Sequence, residues 1–192
     1  MISDIKIVDT KILSDDGYTL KKVTYEYLKT DGTLKKQSRE VYDRGNAATI
    51  LLYNKEQQTV ILTKQFRLPS FVNGNHTGML IEACAGLMDE SNPEDCAKRE
   101  AEEETGYRIT HARKIFEVYM SAGSLTELLY FFVAEYDASM KVSKGGGVEK
   151  EEENIDVLEM PFQQAMEMID NGEIKDAKTI MLLQYVKLHN LM

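Results

Sequence analysis

Arg99-Glu100-Ala101-Glu102-Glu103-Glu104-Thr105-Gly106-Tyr107 decides how the rest of this chain is read. The stretch predicts a helix closed by Gly106, the residue type that most readily takes the left-handed conformation that stops one. On such a helix Glu100, Glu103 and Glu104 stand three and four residues apart and share a face, with Glu100 and Glu104 about 6 Å apart along the axis. Like charges that close repel. A hard dication with carboxylate ligands is the simplest compensation, and such ions commonly engage substrate phosphates as well. A solvated acidic face is the plain alternative in a chain with 29% charged residues.

Upstream, the apolar run Leu80-Ile81-Glu82-Ala83-Cys84-Ala85 ends at Gly86, and the polar loop Leu87 to Asn92 follows. Pro93 suits the first helical position, with Ser91 or Asn92 as N-cap, while Glu94 and Asp95 complement the positive end of the helix dipole. The expected order is strand, loop, charged helix, glycine.

With Gly86, Arg99, Glu100, Ala101, Glu103, Glu104 and Gly106 in register, this segment resembles the Nudix box, the signature of hydrolases that cleave nucleoside diphosphates linked to another moiety. The pattern departs in two ways: Asn92 stands where the box has a glutamate, and six residues rather than seven separate it from Arg99. Val41-Tyr42-Asp43-Arg44-Gly45-Asn46, Gln65-Phe66-Arg67, Phe71-Val72-Asn73-Gly74-Asn75, Thr126-Glu127-Leu128 and Gly145-Gly146-Gly147-Val148-Glu149 extend the likeness nearly end to end. They are similar to the branch of the family that hydrolyses GDP-mannose, a relative of the ADP-ribose pyrophosphatases.

That resemblance implies an α+β fold, an α/β/α sandwich with a mixed sheet, preceded by a small N-terminal antiparallel sheet. It implies a dimerising subdomain over residues 1–43, whose sheet reaches across to the other subunit, and a hydrolase domain over 44–192. Mg²⁺, or Mn²⁺ in its place, would be held by Glu100, Glu103, Glu104, the carbonyl of Ala85 and Glu153. Glu104 and a loop carboxylate would be catalytic. Alignment on Ile155-Asp156-Val157 selects Glu153, with Glu151 next; anchoring on the glycines selects Glu149 instead. Tyr18, Arg39, Glu40, Arg67, Ala85, Gly86, Glu104, Glu127 and Lys178 would touch substrate, and Arg99 would pair with Glu103. The expected reaction converts GDP-mannose to GMP and mannose 1-phosphate. The rivals are an ADP-ribose pyrophosphatase and a non-catalytic module that binds nucleotides or cations.

Composition sets the outer bounds. At 192 residues the chain can bury one substantial core. Its net charge of −9 disfavours general binding to nucleic acid or anionic membranes, so a polyanionic substrate needs local cations. Two cysteines, Cys84 and Cys96, are too few for a disulfide scaffold and sit in contexts that suit buried thiols. With no signal-peptide pattern and no membrane-length apolar run, the chain is expected in the cytoplasm.

Periodicity and turn residues place the remaining elements. Strands are predicted at 5–8, 11–13, 18–28 and 35–42, at 48–53 paired with 59–66, then at 114–119, 127–136 and 155–158. Helices close the chain at 161–171 and 177–188.

Overall fold

In the computed structural model, which describes residues 2–89, 92–148 and 153–192, the chain divides into two compact units. One comprises Met1–Asn46 with Tyr119–Leu128, the other Ala47–Val118 with Leu129–Met192.

The first unit is an antiparallel sheet of β1 (Ser3–Asp16), β2 (Tyr18–Leu28) and β3 (Leu34–Asp43), in that order. Gly17 and Gly32 supply the positive φ angles, 85° and 78°, that its two turns require. Where periodicity predicted two short strands, β1 is one continuous strand of 14 residues. Three register shifts against β2 absorb the breaks in its pattern. Strand β1 is exposed along its whole length, Ile5, Ile7 and Ile12 included. The Tyr119–Leu128 segment is tied to the end of β3: Tyr42 N donates to Ser124 O at 2.8 Å, Thr126 N to Tyr42 O at 3.1 Å, and Thr126 Oγ1 to Asp43 Oδ1 at 2.9 Å.

The second unit is built on a seven-stranded mixed sheet. Its path runs β10 (Asp156–Pro161), β5 (Thr59–Phe66), β4 (Ala47–Asn54), β9 (Leu128–Glu135), β8 (Arg113–Tyr119). Strand β6 (Met79–Glu82) pairs with β5, and β7 (Cys84–Leu87) pairs with β4. The apolar run at 80–85 therefore forms two strands, not one, crossing at Ala83 from one neighbour to the next. Every residue of β4 is buried, as expected of a strand covered on both faces.

Alternation along β4 explains the layers. Ala48, Ile50 and Leu52 pack with Cys96, Ala97 and Ala101 on one side, where helix α2 (Pro93–Glu100) lies against β4 and β7. Leu51 points to the other face, and β4 also contacts helix α4 (Ala177–Leu188), whose Leu182, Leu183 and Val186 are buried. Helix α3 (Phe162–Asp170) packs on β10 and β5. A short helix α1 (Leu68–Val72) follows β5; its five residues are too few for periodicity to reveal. Cys84 and Cys96 are buried free thiols. Among the described residues no helix is long and apolar enough to cross a membrane.

Candidate active site

The site begins with how α2 is started. Asn92 Oδ1 accepts hydrogen bonds from Glu94 N and Asp95 N, both at 3.0 Å, and Pro93 follows as the first helical residue. The residue that departs from the box is thus a working N-cap.

At its far end the helix does not continue as the uniform α-helix expected. Residues Ala101–Thr105 form a π turn, with the Thr105 hydroxyl donating to Ala101 O and Gly106 in the left-handed conformation at φ 81°. Widened turns of this kind concentrate at functional sites. Here the turn accompanies a Glu104 side chain turned into the protein, 1% exposed, whose buried Oε2 has no hydrogen-bond partner among the described residues. Burial, then the negative charges of Glu100 and Glu153, push this carboxyl up to about 8, against the opposing effects of the Cys84 thiol and Arg67. An orphaned buried carboxylate oxygen is costly unless something binds it.

Glu100 lies over Gly86. A Cβ on Gly86 would fall inside the Glu100 carboxyl group, so only glycine leaves the carboxylate its place. Burial raises the pKa of Glu100 and the adjoining Arg99 guanidinium opposes it. Arg99 Nη2 donates to Glu100 Oε1 at 2.9 Å and to Leu87 O at 3.4 Å, Nη1 bonds Asp89, and Nε stands 3.8 Å from Glu103 Oε2. The expected pairing with Glu103 is present and is the longest of these contacts. Arg99 also ties Glu100 to the loop that precedes the helix.

The three glycines Gly145, Gly146 and Gly147 all have positive φ and lie against the end of the same helix. Gly146 N donates to Glu104 O at 2.8 Å and Gly147 N to Glu103 O at 3.1 Å, satisfying two carbonyls that a helix C-terminus leaves open. A Cβ on Gly145 would meet Glu104 O at 2.5 Å. The run thus serves close backbone approach, which composition alone did not reveal. Beyond it, Glu153 Oε2 accepts from Val148 N at 3.0 Å. Glu149 and Glu151, the other two catalytic candidates, lie outside the described residues.

Among the described residues no three His, Cys, Asp or Glu side chains already converge as a metal cluster. Arg99 holds Glu100 and the Val148 amide holds Glu153. The donors nonetheless fit a hard dication: carboxylates on α2 and its π turn, a buried oxygen on Glu104 unpartnered among the described residues, and the clearance at Gly86.

Two cations stand in the same unit. Arg67 Nε donates to Glu82 Oε2 at 2.7 Å, and Lys178 Nζ to Glu82 Oε1 at 2.6 Å. Lys178 is half-buried, with Asp176 Oδ1 a further 3.0 Å neighbour. Sequence reasoning missed Glu82. The available signal was a lone glutamate inside the apolar run 80–85.

Tyr18, Arg39, Glu40 and Glu127 belong to the first unit. Glu127 is buried and pairs with Arg44 Nε at 3.4 Å, while the Arg44 guanidinium sits 5.6 Å from the centre of the Tyr18 ring. Arg44, which motif reading passed over, thereby connects two of the predicted substrate residues. Arg39 and Glu40 are exposed on β3; Arg39 Nη1 donates to Ser38 O at 3.0 Å and Nη2 to Gln37 Oε1 at 3.3 Å.

Known proteins resemble the chain over its whole length. A profile of the NUDIX domain matches residues 43–183, and one described as the GDP-mannose pyrophosphatase NudK N-terminal domain matches residues 4–42. Curated relatives named GDP-mannose pyrophosphatase align over all 192 residues, covering 100% of both chains. The protein of Escherichia coli O1:K1 / APEC is 54% identical, and those of strains SMS-3-5 and K12 / DH10B are each 53% identical.

Proposed function

The chain belongs to the Nudix hydrolase family, and from that premise we propose that it hydrolyses GDP-mannose to GMP and mannose 1-phosphate, with Mg²⁺ as its ion. One observation carries the reading: the buried Oε2 of Glu104, unpartnered among the described residues, on a helix whose Glu100 carboxylate occupies the space that Gly86 leaves. Full-length identity to enzymes named for GDP-mannose supports that substrate over ADP-ribose.

Nudix hydrolases generally use divalent metal ions. Glu100, Glu104 and the carbonyl of Ala85, with Glu103 beside them, would hold the ion here. When bound, it supplies charge neutralisation for the diphosphate and acidifies water at neutral pH. Arg67 reaches phosphate oxygens with its guanidinium, compensating locally for a protein of net charge −9. Glu153, on leaving the Val148 amide, orients the attacking water and accepts its proton. Arg99 keeps Glu100 from rotating away and ties it to the preceding loop. Tyr18 and Glu127 contact the nucleoside or sugar.

A dimer belongs to the same proposal, with residues 1–43 as the dimerising subdomain, 44–192 as the hydrolase domain, and Arg39 and Glu40 acting on the partner's substrate. What supports it is β1, a 14-residue strand that exposes Ile5, Ile7 and Ile12 within its own chain. The setting proposed is the cytoplasm.

The test incubates purified protein and Mg²⁺ with GDP-mannose, ADP-ribose, other nucleotide sugars and NADH, then measures the phosphate that a phosphatase releases from the products. GDP-mannose should give the highest kcat/KM. No turnover of any compound would favour the non-catalytic module, and faster turnover of ADP-ribose would favour the same-class rival. Glu153→Gln should lower kcat by about 10² with little change in substrate affinity; an unimpaired variant would remove Glu153 from the chemistry.

A further inference from the structure

We infer that Glu82 is a positioning residue for the hydrolysis, setting Arg67 and Lys178 side by side as a two-pronged grip on the diphosphate. This rests on the function proposed above.

The Glu82 side chain is 3% exposed at the end of β6 and gives one oxygen to each cation: Oε2 to Arg67 Nε at 2.7 Å and Oε1 to Lys178 Nζ at 2.6 Å. Arg67 follows β5 and Lys178 stands in the first turn of α4, so the carboxylate joins elements far apart in sequence. A second bond fixes the geometry. Asp176 Oδ2 accepts from Thr179 N at 3.0 Å and from Thr179 Oγ1 at 2.6 Å, while Thr179 Oγ1 accepts from Ala83 N at 2.6 Å. Two consecutive residues, Glu82 by its side chain and Ala83 by its backbone, are thus pinned to the start of α4.

Chemistry gives this arrangement a direction. Two cations brought together without an anion repel, and a buried carboxylate is unfavourable unless it is paired and hydrogen-bonded. Glu82 meets both conditions. It engages Arg67 through Nε, and among the described residues the terminal nitrogens of Arg67 make no hydrogen bond, on a side chain that is 39% exposed. The fork that pairs best with phosphate oxygens therefore stays open, its orientation fixed from behind. Lys178 adds a second positive charge across the same carboxylate. Binding of this kind acts alike on bound substrate and transition state, so its loss belongs in KM.

The decisive variant is Glu82→Gln in the full chain, assayed with Mg²⁺ and GDP-mannose. It keeps the size of the side chain, removes its charge and turns an amide towards one of the cations. KM should rise about tenfold or more, the scale of a hydrogen bond to a charged group, while kcat stays within about threefold. Lys178→Met should raise KM as well, and the double variant should add little to either single one. Glu82→Asp retains the charge on a shorter stem; it should show a smaller rise in KM and serves as the test if the glutamine variant does not fold. A folded variant with unchanged KM, or one that loses kcat at constant KM, overturns the inference. Should the wild type turn over no nucleotide sugar, the proposed function fails instead. The grip is then judged by calorimetric titration with GDP: about tenfold weaker binding to Glu82→Gln sustains it, and equal binding rejects it.

Discussion

Replacing Gly86 by alanine adds one methyl group and should cost most of the activity. An ideal Cβ at this position falls more than about 1 Å inside ordinary contact distance from all three atoms of the Glu100 carboxyl group. The backbone of Gly86 is held in β7 by its pairing with Ala48 of β4, so the strand has little freedom to yield. The flexible end of Glu100 must therefore move, breaking its 2.9 Å bond from Arg99 and leaving the place from which it would hold the ion. A displacement of about 1 Å in a reacting constellation can lower a rate by about 10², or about 2.7 kcal/mol of activation free energy. Stability should change far less, because Gly86 has no positive φ and the atom that gives way is the end of a side chain. The assay is kcat for GDP-mannose at saturating Mg²⁺, with a melting curve on the same preparation. Glu100→Gln should be impaired to a similar degree, and Gly86→Ala added to it should cost little more, because both act on one carboxylate. A folded Gly86→Ala protein with wild-type kcat would refute the reasoning.

Three other outcomes are expected. In chelator, stability should fall as pH rises: burial holds the folded Glu104 carboxyl near 8 against an ordinary 4.5, so its stabilising proton is fully present below 4.5 and is lost as pH climbs through 8. The loss is on the order of 5 kcal/mol, and it should appear as a falling melting temperature in the wild type and a flatter profile in Glu104→Gln; equal slopes would count against the buried carboxylate. Cys84 and Cys96 are buried and burial raises both thiols, that of Cys96 to about 11, so a thiol reagent at pH 8 should label neither until denaturant is added; rapid labelling of the native protein would contradict the packing of α2 on β4 and β7. Finally, mixing inactive Arg39→Ala chains with inactive Glu104→Gln chains should restore one competent site per mixed dimer. No recovery in verified mixed dimers, or a fully active monomer in sedimentation, would reject a shared site.

What was legible in the sequence was local. Pro93 and Gly106, with Ser91 or Asn92 as the cap, mark the start and stop of the acidic helix because caps and left-handed residues act over a few neighbouring backbone groups. The β4–β5 hairpin and the full span Ala177–Leu188 of α4 follow from alternation and helical spacing, which are equally short in range. The box located Glu100 and Glu104, since three- and four-residue spacing on a helix already implies a shared face. Tertiary structure decided what those groups experience. The π turn at Ala101–Thr105, the burial of Glu104 and the seat of Glu100 on Gly86 depend on a helix meeting β4 and β7. The glycines 145–147 cap that helix because they return to 103–104 in space. Glu82 passed unmarked within an apolar run, and only the fold brings Lys178, 96 positions later, to its carboxylate. Hydrogen bonds and charge pairing act over a few ångströms whatever the separation along the chain, so no local pattern encodes which distant residue will supply the other half.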